Sequence, residues 1–305
     1  MTPAPDLATV RTAVAARLVG RERELDLVLA AVSAGRDIVL EGPPGTSKTT
    51  MLKAITTEWG IPLLFVEGNA DLTPAKLVGH HNPARVLRED YSADTFVPGP
   101  LVEAMQQGGF LYLEEFNRAP EDTLNTLLTA MADRVIAVPR VGSVPAAPTF
   151  RVIASMNPYD DVGTTRLSTS VHDRLCRLAV GYQDEPAERG IVALRTGGAQ
   201  APLGERLVAD AVAVTRATRE HRDVRQGSSV RGAIDTVLVA GELAVLRGLR
   251  TPDDRGYAET LYDAMVVALS GRIHLDEAAE TTPEQVLREI WEDRMVLAPA
   301  AAAPG

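Results

Sequence analysis

The stretch that most constrains the fold is EGPPGTSKTT at residues 41–50, which follows the run DIVL at residues 37–40. From Gly42 to Thr49, here called the phosphate loop, it fits the pattern G-x-x-x-x-G-K-[ST], except that Ser47 replaces the second glycine. Such a loop aims backbone N–H groups at phosphates, with the positive end of a helix behind them. A strand before it and a helix after it are therefore expected, which predicts a nucleotide-binding α/β fold.

Each residue type in the phosphate loop has an expected task. Gly42 and Gly45 permit the tight backbone turn. Lys48 is expected to reach the β- and γ-phosphates, and the hydroxyl of Thr49 to ligate Mg²⁺. A small side chain at Ser47 is acceptable provided that φ stays negative there. The competing interpretation is an ordinary Gly/Pro turn that happens to precede a lysine.

The second informative stretch is GGFLYLEEFNRAP at residues 108–120, an apolar strand that ends in Glu114 and Glu115. Buried strands rarely carry adjacent carboxylates unless these are paired or face a cleft. In a nucleotide hydrolase the first acid holds the Mg²⁺ shell through water, and the second orients and deprotonates the attacking water. The usual first acid is aspartate, so Glu114 is longer by one methylene. The alternative is a strand that simply runs out into a polar loop.

A third apolar strand, in FRVIASMNPYDD at residues 150–161, ends in Asn157. The following Pro158 stops further strand pairing. In a parallel sheet this side chain would lie beside the two acids, where it could position the water. Taken alone the signal is weak, because Asn-Pro is a frequent loop dipeptide.

Short apolar runs alternate with helix-like segments from residue 37 to about 180, which predicts a mostly parallel sheet. The predicted strands are Ile38–Leu40, Leu63–Val66, Phe110–Leu113, Phe150–Ala154 and Leu178–Val180, and the predicted helices include Lys48–Trp59 and Pro120–Asp133. After residues 181–186 apolar residues recur at helical spacing. We therefore expect an α/β core over 1–182, an all-helical lid over 183–296 and a disordered tail over 297–305.

Composition limits the function classes. The chain has 305 residues, 45% of them apolar, and a formal net charge of −10, which argues against binding nucleic acid through a broad basic face. No basic segment with an apolar core opens the sequence, and no apolar stretch is long enough to span a bilayer. A single cysteine, Cys176, fits a reducing compartment. The expected location is the cytoplasm.

The order of phosphate loop, LYLEEFNRAP, VIASMNP, VHDRL and GSSVRGAI resembles the AAA+ ATPases, and within them the MoxR branch. The stretch FVPGPLVEAMQQGGFLYLEEFNRAP is especially similar to that branch, and the resemblance runs from about Leu18 to about Leu275. It implies a P-loop core with a five-stranded parallel sheet flanked by helices, followed by the helical lid.

The resemblance also implies roles for individual residues. Glu114 and Glu115 match Walker B, and Asn157 matches sensor 1. Arg174 matches the arginine that points into the neighbouring subunit's nucleotide site, and Arg231 matches the sensor 2 arginine of the lid. The nucleotide would be held by Val19 and Gly20 near the base and by Gly42, Pro43, Pro44, Gly45, Thr46, Ser47, Lys48, Thr49 and Thr50. Residues 80–99 and 134–149 fall where the family inserts two hairpins that line the centre of its ring.

The function implied is Mg²⁺-dependent ATP hydrolysis by a homo-oligomeric ring, with six subunits expected. The cycle would move the hairpins against a client protein in a chaperone-like role, with a von Willebrand A domain protein as partner. Two alternatives remain open from the residues. One is an ATP-gated assembly scaffold that hydrolyses weakly, which Ser47 and Glu114 motivate. The other is a nucleic-acid-linked NTPase motor, which the acidic charge disfavours.

Several residues also have plain structural interpretations. Arg174 can be a surface helix arginine, and Arg231 can form a structural salt bridge. The pair His80-His81 is expected in a solvated loop rather than at a metal, because no further ligand lies at metal spacing. Cys176 is expected in the core.

Overall fold

The computed structural model describes residues 6–89, 91–158, 169–198 and 203–297. The chain divides into two compact units by its internal contacts. The first comprises residues 1–43 and 47–181, and the second comprises residues 44–46 and 182–305. Apart from residue 297, the predicted tail over 297–305 lies outside the described residues.

The first unit is an α/β structure. In chain order its strands are β1 Ile38–Glu41, β2 Leu63–Glu67, β3 Gly79–His81, β4 Phe96–Pro98, β5 Phe110–Glu114, β6 Val135–Val138, β7 Gly142–Pro145, β8 Arg151–Met156 and β9 Cys176–Ala179. Its helices are α1 Leu7–Ala15, α2 Glu22–Ser33, α3 Lys48–Trp59, α4 Pro74–Val78, α5 Pro83–Glu89, α6 Pro100–Gln107, α7 Glu121–Asp133 and α8 Thr169–Arg174.

A parallel sheet of five strands, in the order β2-β5-β8-β1-β9, forms the centre of this unit as the structure describes it. Side chains alternate between its faces because successive residues of a strand point in opposite directions. Phe110 and Tyr112 join the core formed with α1, α2 and α3. Leu111 and Leu113 join the core formed with α4, α6 and α7. Because helices cover both faces of the sheet, we expect polar functional side chains at the ends of the strands.

Two antiparallel hairpins pack beside the core elements, and the second contributes Ile136, Val138 and Val144 to the core formed with α4, α6 and α7. The first hairpin pairs β3 with β4, and the second hairpin pairs β6 with β7. His81 joins them: its Nδ1 lies 3.1 Å from Thr95 Oγ1, and its Nε2 lies 3.2 Å from the carbonyl oxygen of Pro139. The expectation of a solvated His80-His81 loop is therefore wrong for His81, which is half-buried, whereas His80 is exposed.

The second unit is built mainly of helices. They are α9 Glu185–Thr196, α10 Gly204–Glu220, α11 Val230–Arg247, α12 Tyr257–Leu269 and α13 Pro283–Trp291. The apolar faces of all five helices pack into one core. The expectation of an all-helical lid needs one correction, because β10 Val224–Gln226 pairs antiparallel with β11 His274–Leu275. Two short segments far apart in sequence carry little periodicity, which is why the pattern did not reveal this ribbon.

Cys176 is a second correction. It was expected in the core, but it is exposed on β9, the strand at one edge of the sheet. The adjacent apolar run predicted a strand at 178–180, whereas the strand covers Cys176–Ala179. The strand therefore begins two residues earlier than predicted. Cys176 is its first residue, on an edge strand whose side chains are mostly exposed. Among the described residues, no helix is long and apolar enough to cross a membrane.

Candidate functional site

The phosphate loop connects β1 to α3, as the sequence pattern predicts. The ammonium of Lys48 donates to the carbonyl oxygens of Gly42 at 2.8 Å and Pro43 at 2.9 Å. The Lys48 side chain is buried, with 9% of its surface exposed. A buried ammonium is stabilised most strongly by a charged acceptor, and a phosphate bound in the loop would supply one.

Gly42 is required by a close approach of two backbone segments. A Cβ at this position would lie 2.0 Å from the carbonyl oxygen of Val180, immediately after β9. The amide of Gly42 donates to the carbonyl of Met156 at 3.0 Å. The start of the loop is therefore fixed against the ends of both neighbouring strands.

Ser47 departs from the sequence expectation in its backbone. Its φ is 65° and its ψ is 16°, which places it in the left-handed region at the start of α3. The condition of a negative φ is therefore not met. An L-residue in this region costs roughly 1–2 kcal/mol, a cost that glycine avoids. The serine keeps the backbone geometry of the pattern with some strain.

Glu114 lies at the end of β5, next to Thr49 of α3. The Thr49 hydroxyl donates to Glu114 Oε1 at 2.9 Å. Within the described ranges no three His, Cys, Asp or Glu residues gather as a metal site. Mg²⁺ usually takes one or two protein ligands and completes its shell with phosphates and water. A hydroxyl beside a carboxylate therefore fits Mg²⁺ held jointly with a nucleotide, and it would not hold the ion alone.

Glu115 follows the strand with a positive φ of 52°. Its side chain is 41% exposed and pairs with Arg118, with Oε2 and Nε 3.3 Å apart. The same turn explains Gly68, which the sequence reasoning missed. A Cβ on Gly68 would lie 2.3 Å from the carbonyl oxygen of Glu115. The second carboxylate thus follows a tight turn and is left partly exposed beside Arg118.

Asn157 comes directly after β8, which lies between β5 and β1 in the sheet. Its half-buried side chain is therefore at the carboxyl end of the sheet, between the strand that ends in Glu114 and the strand that opens the phosphate loop. This is the placement in which it could position a water.

The structure places the two predicted arginines differently. Arg174 ends α8 with an exposed side chain, and its Nη1 donates to the carbonyl of Ser170 in the same helix. Arg231 is the second residue of α11 in the second unit, to which Gly45 of the loop also belongs. A Cβ on Gly45 would lie 3.9 Å from Arg231 Cδ and 2.4 Å from Ser229 Oγ. Within the second unit Arg231 therefore lies near Gly45, whereas Arg174 lies on the surface of the first unit.

Val19 and Gly20 lie between α1 and α2, and Gly20 has a φ of 64°. The sequence reasoning missed their neighbour Arg21, whose side chain is only 3% exposed. Its Nη2 donates to the carbonyl of Gly181 at 2.6 Å, and its Nη1 pairs with Glu24 at 3.1 Å. A buried arginine therefore fixes the segment expected to border the base.

Tyr112 is a third residue that sequence reasoning missed. It is fully buried in β5, two residues before Glu114 and on the same face. Its hydroxyl lies 2.9 Å from Ser155 Oγ and 3.3 Å from Glu114 Oε1. Burial, which disfavours the phenolate, raises the pKa of Tyr112 to about 12. In sequence this tyrosine looks like any apolar core position of the strand.

Comparisons with known proteins agree with this geometry. Residues 37–175 match the AAA domain family (dynein-related subfamily). The chain is 27% identical over 307 residues to the gas vesicle ATPase GvpN of Ancylobacter aquaticus, covering 94% of this chain and 80% of that protein. It is 28% identical over 302 residues to the gas vesicle ATPase GvpN2 of Halobacterium salinarum, again covering 94% and 80%.

Among solved structures, a point mutant of RuvB from Thermotoga maritima has a TM-score of 0.54 to this chain. The identity is 16%, and the match covers 82% of this chain and 71% of that one. At this identity the likeness concerns the fold alone. Together with the family match, it confirms the predicted P-loop fold with its parallel sheet and helical C-terminal region.

Proposed function

We infer that the chain is an AAA+ ATPase of the MoxR and GvpN type, and on that premise we propose that it works as a Mg²⁺-dependent ring that remodels a client protein. The observation that carries the proposal is the direct hydrogen bond between Thr49 of the phosphate loop and Glu114 of β5. It brings together the two residues expected to share the metal. The relatives named gas vesicle ATPases support the ATPase activity only.

In this proposal the phosphate loop binds the triphosphate. The Lys48 ammonium exchanges its contacts with the loop carbonyls for phosphate oxygens, which are stronger partners because they are charged. Thr49 and Glu114 would hold Mg²⁺, which when bound neutralises charge on the β- and γ-phosphates. The base would lie near Val19 and Gly20.

Hydrolysis is proposed to use Glu115 and Asn157. The Glu115 carboxylate would orient the attacking water and accept its proton, and its partial exposure leaves room for that water. Asn157 would hold the same water from the neighbouring strand β8. General-base assistance of this kind contributes roughly 10²–10⁴-fold to the rate.

We propose a ring because Arg174, one of the expected catalytic residues, is exposed on the surface of the first unit. There it can serve the site of an adjacent subunit. An arginine supplied in trans contributes about 10³–10⁵-fold in phosphoryl transfer. We propose that Arg231, as part of a lid over residues 183–296, acts on nucleotide in its own subunit.

The client would be met by the two hairpins, which the resemblance places at the centre of a ring, here proposed to be hexameric. His81 holds them together, so a displacement of one hairpin is passed to the other. A von Willebrand A domain protein remains the proposed partner. The family resemblance is its basis.

One observation favours the weakly hydrolysing scaffold as a second candidate. Ser47 holds a strained conformation at the start of α3, next to the lysine that binds phosphate. Steady-state ATPase rates at several protein concentrations separate the candidates. Turnover per subunit that rises with concentration supports an assembling enzyme, whereas a flat rate near zero supports the scaffold.

Two inactive variants test the mechanism together. Glu115→Gln should bind ATP but lose roughly 10²–10⁴-fold in turnover. Arg174→Ala should bind ATP and lose about 10³–10⁵-fold. Arg189→Ala is a matched control, since Arg189 pairs only with Glu185 of the same exposed helix face among the contacts resolved in the described residues.

Mixing the two inactive variants decides whether Arg174 acts in trans. In a mixed ring, a subunit with an intact Glu115 can sit beside a subunit with an intact Arg174. About a quarter of the head-to-tail interfaces in an equal mixture then regain both residues. Recovered turnover is the expected result. Normal turnover of Arg174→Ala alone, or no recovery on mixing, would refute the trans assignment.

A further inference from the structure

The Tyr112 hydroxyl lies at the meeting point of three elements that face the proposed nucleotide. It is 3.3 Å from Glu114 Oε1, 3.2 Å from Thr49 Oγ1 and 2.9 Å from Ser155 Oγ. We propose that Tyr112 is a positioning residue that holds the Glu114 carboxylate for Mg²⁺ and offsets the extra methylene of glutamate. The inference rests on the proposed Mg²⁺-dependent use of ATP.

The direction of each hydrogen bond follows from what the groups can donate. The Glu114 carboxylate only accepts, so both Tyr112 and Thr49 donate to its Oε1. Tyr112 has a single hydroxyl hydrogen, and with that hydrogen on Glu114 the contact with Ser155 requires the serine to donate. Two donors that converge on one oxygen are necessarily neighbours, which explains the short distance between Tyr112 and Thr49.

The two donors to Glu114, Thr49 and Tyr112, differ in their other roles. The oxygen of Thr49 is the atom that the phosphate-loop pattern assigns to the metal. Tyr112 has no such task, because it is fully buried beneath the carboxylate. Its ring packs edge-on against Phe65, with centroids 5.7 Å apart. Tyr112 is therefore the donor that is held by packing in the core and has no expected role as a metal ligand.

Glutamate needs such a donor more than aspartate does. Its longer side chain has an additional rotatable bond and loses more freedom when its carboxylate is fixed. A phenol-to-carboxylate hydrogen bond from a rigid donor restricts that freedom in advance.

The same hydroxyl also connects β5 with β8. Leu113 is in register with Ala154, so Ser155 stands one residue further along β8 on the face that carries Tyr112. Ser155 precedes Asn157 by two residues. The Tyr112–Ser155 bond therefore fixes the relative position of the strand ends that carry the metal acid and the proposed water-positioning amide.

Tyr112→Phe removes the hydroxyl and keeps the ring, so it is the appropriate test. Tyr257→Phe is the matched control: Tyr257 is also buried and donates to a carboxylate, that of Asp210, at 2.8 Å in the second unit. Binding of a fluorescent ADP, titrated with Mg²⁺ and reversed with EDTA, gives a readout independent of turnover. Melting temperature is measured in parallel for all variants.

We expect Tyr112→Phe to need at least about tenfold more Mg²⁺ for half of the effect of Mg²⁺ on nucleotide affinity, the lower end of what a hydrogen bond to a charged group contributes. Tyr257→Phe should lower the melting temperature without shifting the Mg²⁺ dependence. In a Glu114→Asp background, whose shorter carboxylate is drawn back from the phenol, Tyr112→Phe should add little. If Tyr112→Phe fails to fold, Ser155→Ala should shift the Mg²⁺ dependence in the same direction.

Three outcomes have distinct meanings. An unshifted Mg²⁺ dependence in Tyr112→Phe, or in Ser155→Ala where that variant is used, overturns the positioning role. A shift of equal size in the Glu114→Asp background also overturns it, because Tyr112 would then act without Glu114. If the nucleotide affinity of the wild-type protein does not depend on Mg²⁺, the proposed function is refuted, and the inference with it.

Discussion

Replacing Ser47 by glycine should stabilise the first unit, because the serine occupies a left-handed backbone conformation. An L-residue there costs roughly 1–2 kcal/mol. The greater freedom of glycine in the unfolded chain offsets roughly 0.5–1 kcal/mol of this. The net gain is about 0.5–1 kcal/mol, which corresponds to a rise of about 1–4 °C in melting temperature for a unit of this size. Thermal unfolding followed by circular dichroism, with and without ADP, measures it.

Gly60 provides the opposite change under matched conditions. It also adopts the left-handed geometry, with φ of 70° at the end of α3, and a Cβ there would meet nothing within 4 Å. Gly60→Ser should therefore lower the melting temperature by a similar amount through the backbone alone. If Ser47→Gly lowers the melting temperature while Gly60→Ser behaves as expected, the Ser47 hydroxyl contributes more than its backbone conformation costs, and the reasoning fails.

Two further predictions concern residues around the sheet. Gly42→Ala should lower the free energy of unfolding by roughly 1–3 kcal/mol and abolish ATP binding, because the new Cβ would meet the carbonyl oxygen of Val180. Gly181→Ala is the control: its Cβ would have open space, so unfolding and ATP-binding assays should show no change. Burial raises the pKa of Asp37, which accepts from the Val152 amide, so the fold favours the protonated acid and stability falls as pH rises through that pKa. Asp37→Asn should therefore melt at a higher temperature than wild type at pH 7, and the difference should shrink as pH falls towards 4; an unchanged difference would contradict this.

Much of the candidate nucleotide site could be predicted from the sequence, because few local structures are compatible with its residue types. Three features each follow a short apolar run: a lysine after a Gly-rich turn, two adjacent acids at a strand end, and an amide before proline. Parallel strands then bring these ends to one edge of the sheet. Helix α3 was predicted with the limits Lys48–Trp59 that it has in the structure.

What sequence reasoning missed depends on contacts between distant segments. Nothing in the pattern of β5 distinguishes Tyr112 from an ordinary core residue, since its role depends on the register with β8. The positive φ of Ser47 follows from the loop's path, which a small side chain does not reveal. Likewise, His81 contacts Pro139 only because the two hairpins meet.

The position of β1 within the sheet has a consequence for the chain while it is being synthesised. Ile38 of β1 is in register with Ile153 of β8 and Cys176 of β9, and the strands that precede these in the chain pair elsewhere. The strand that leads into the phosphate loop is thus synthesised more than about a hundred residues before either partner strand, an interval on the order of 10 s of translation. During that interval the nascent chain carries an apolar segment whose sheet partners have not yet been synthesised.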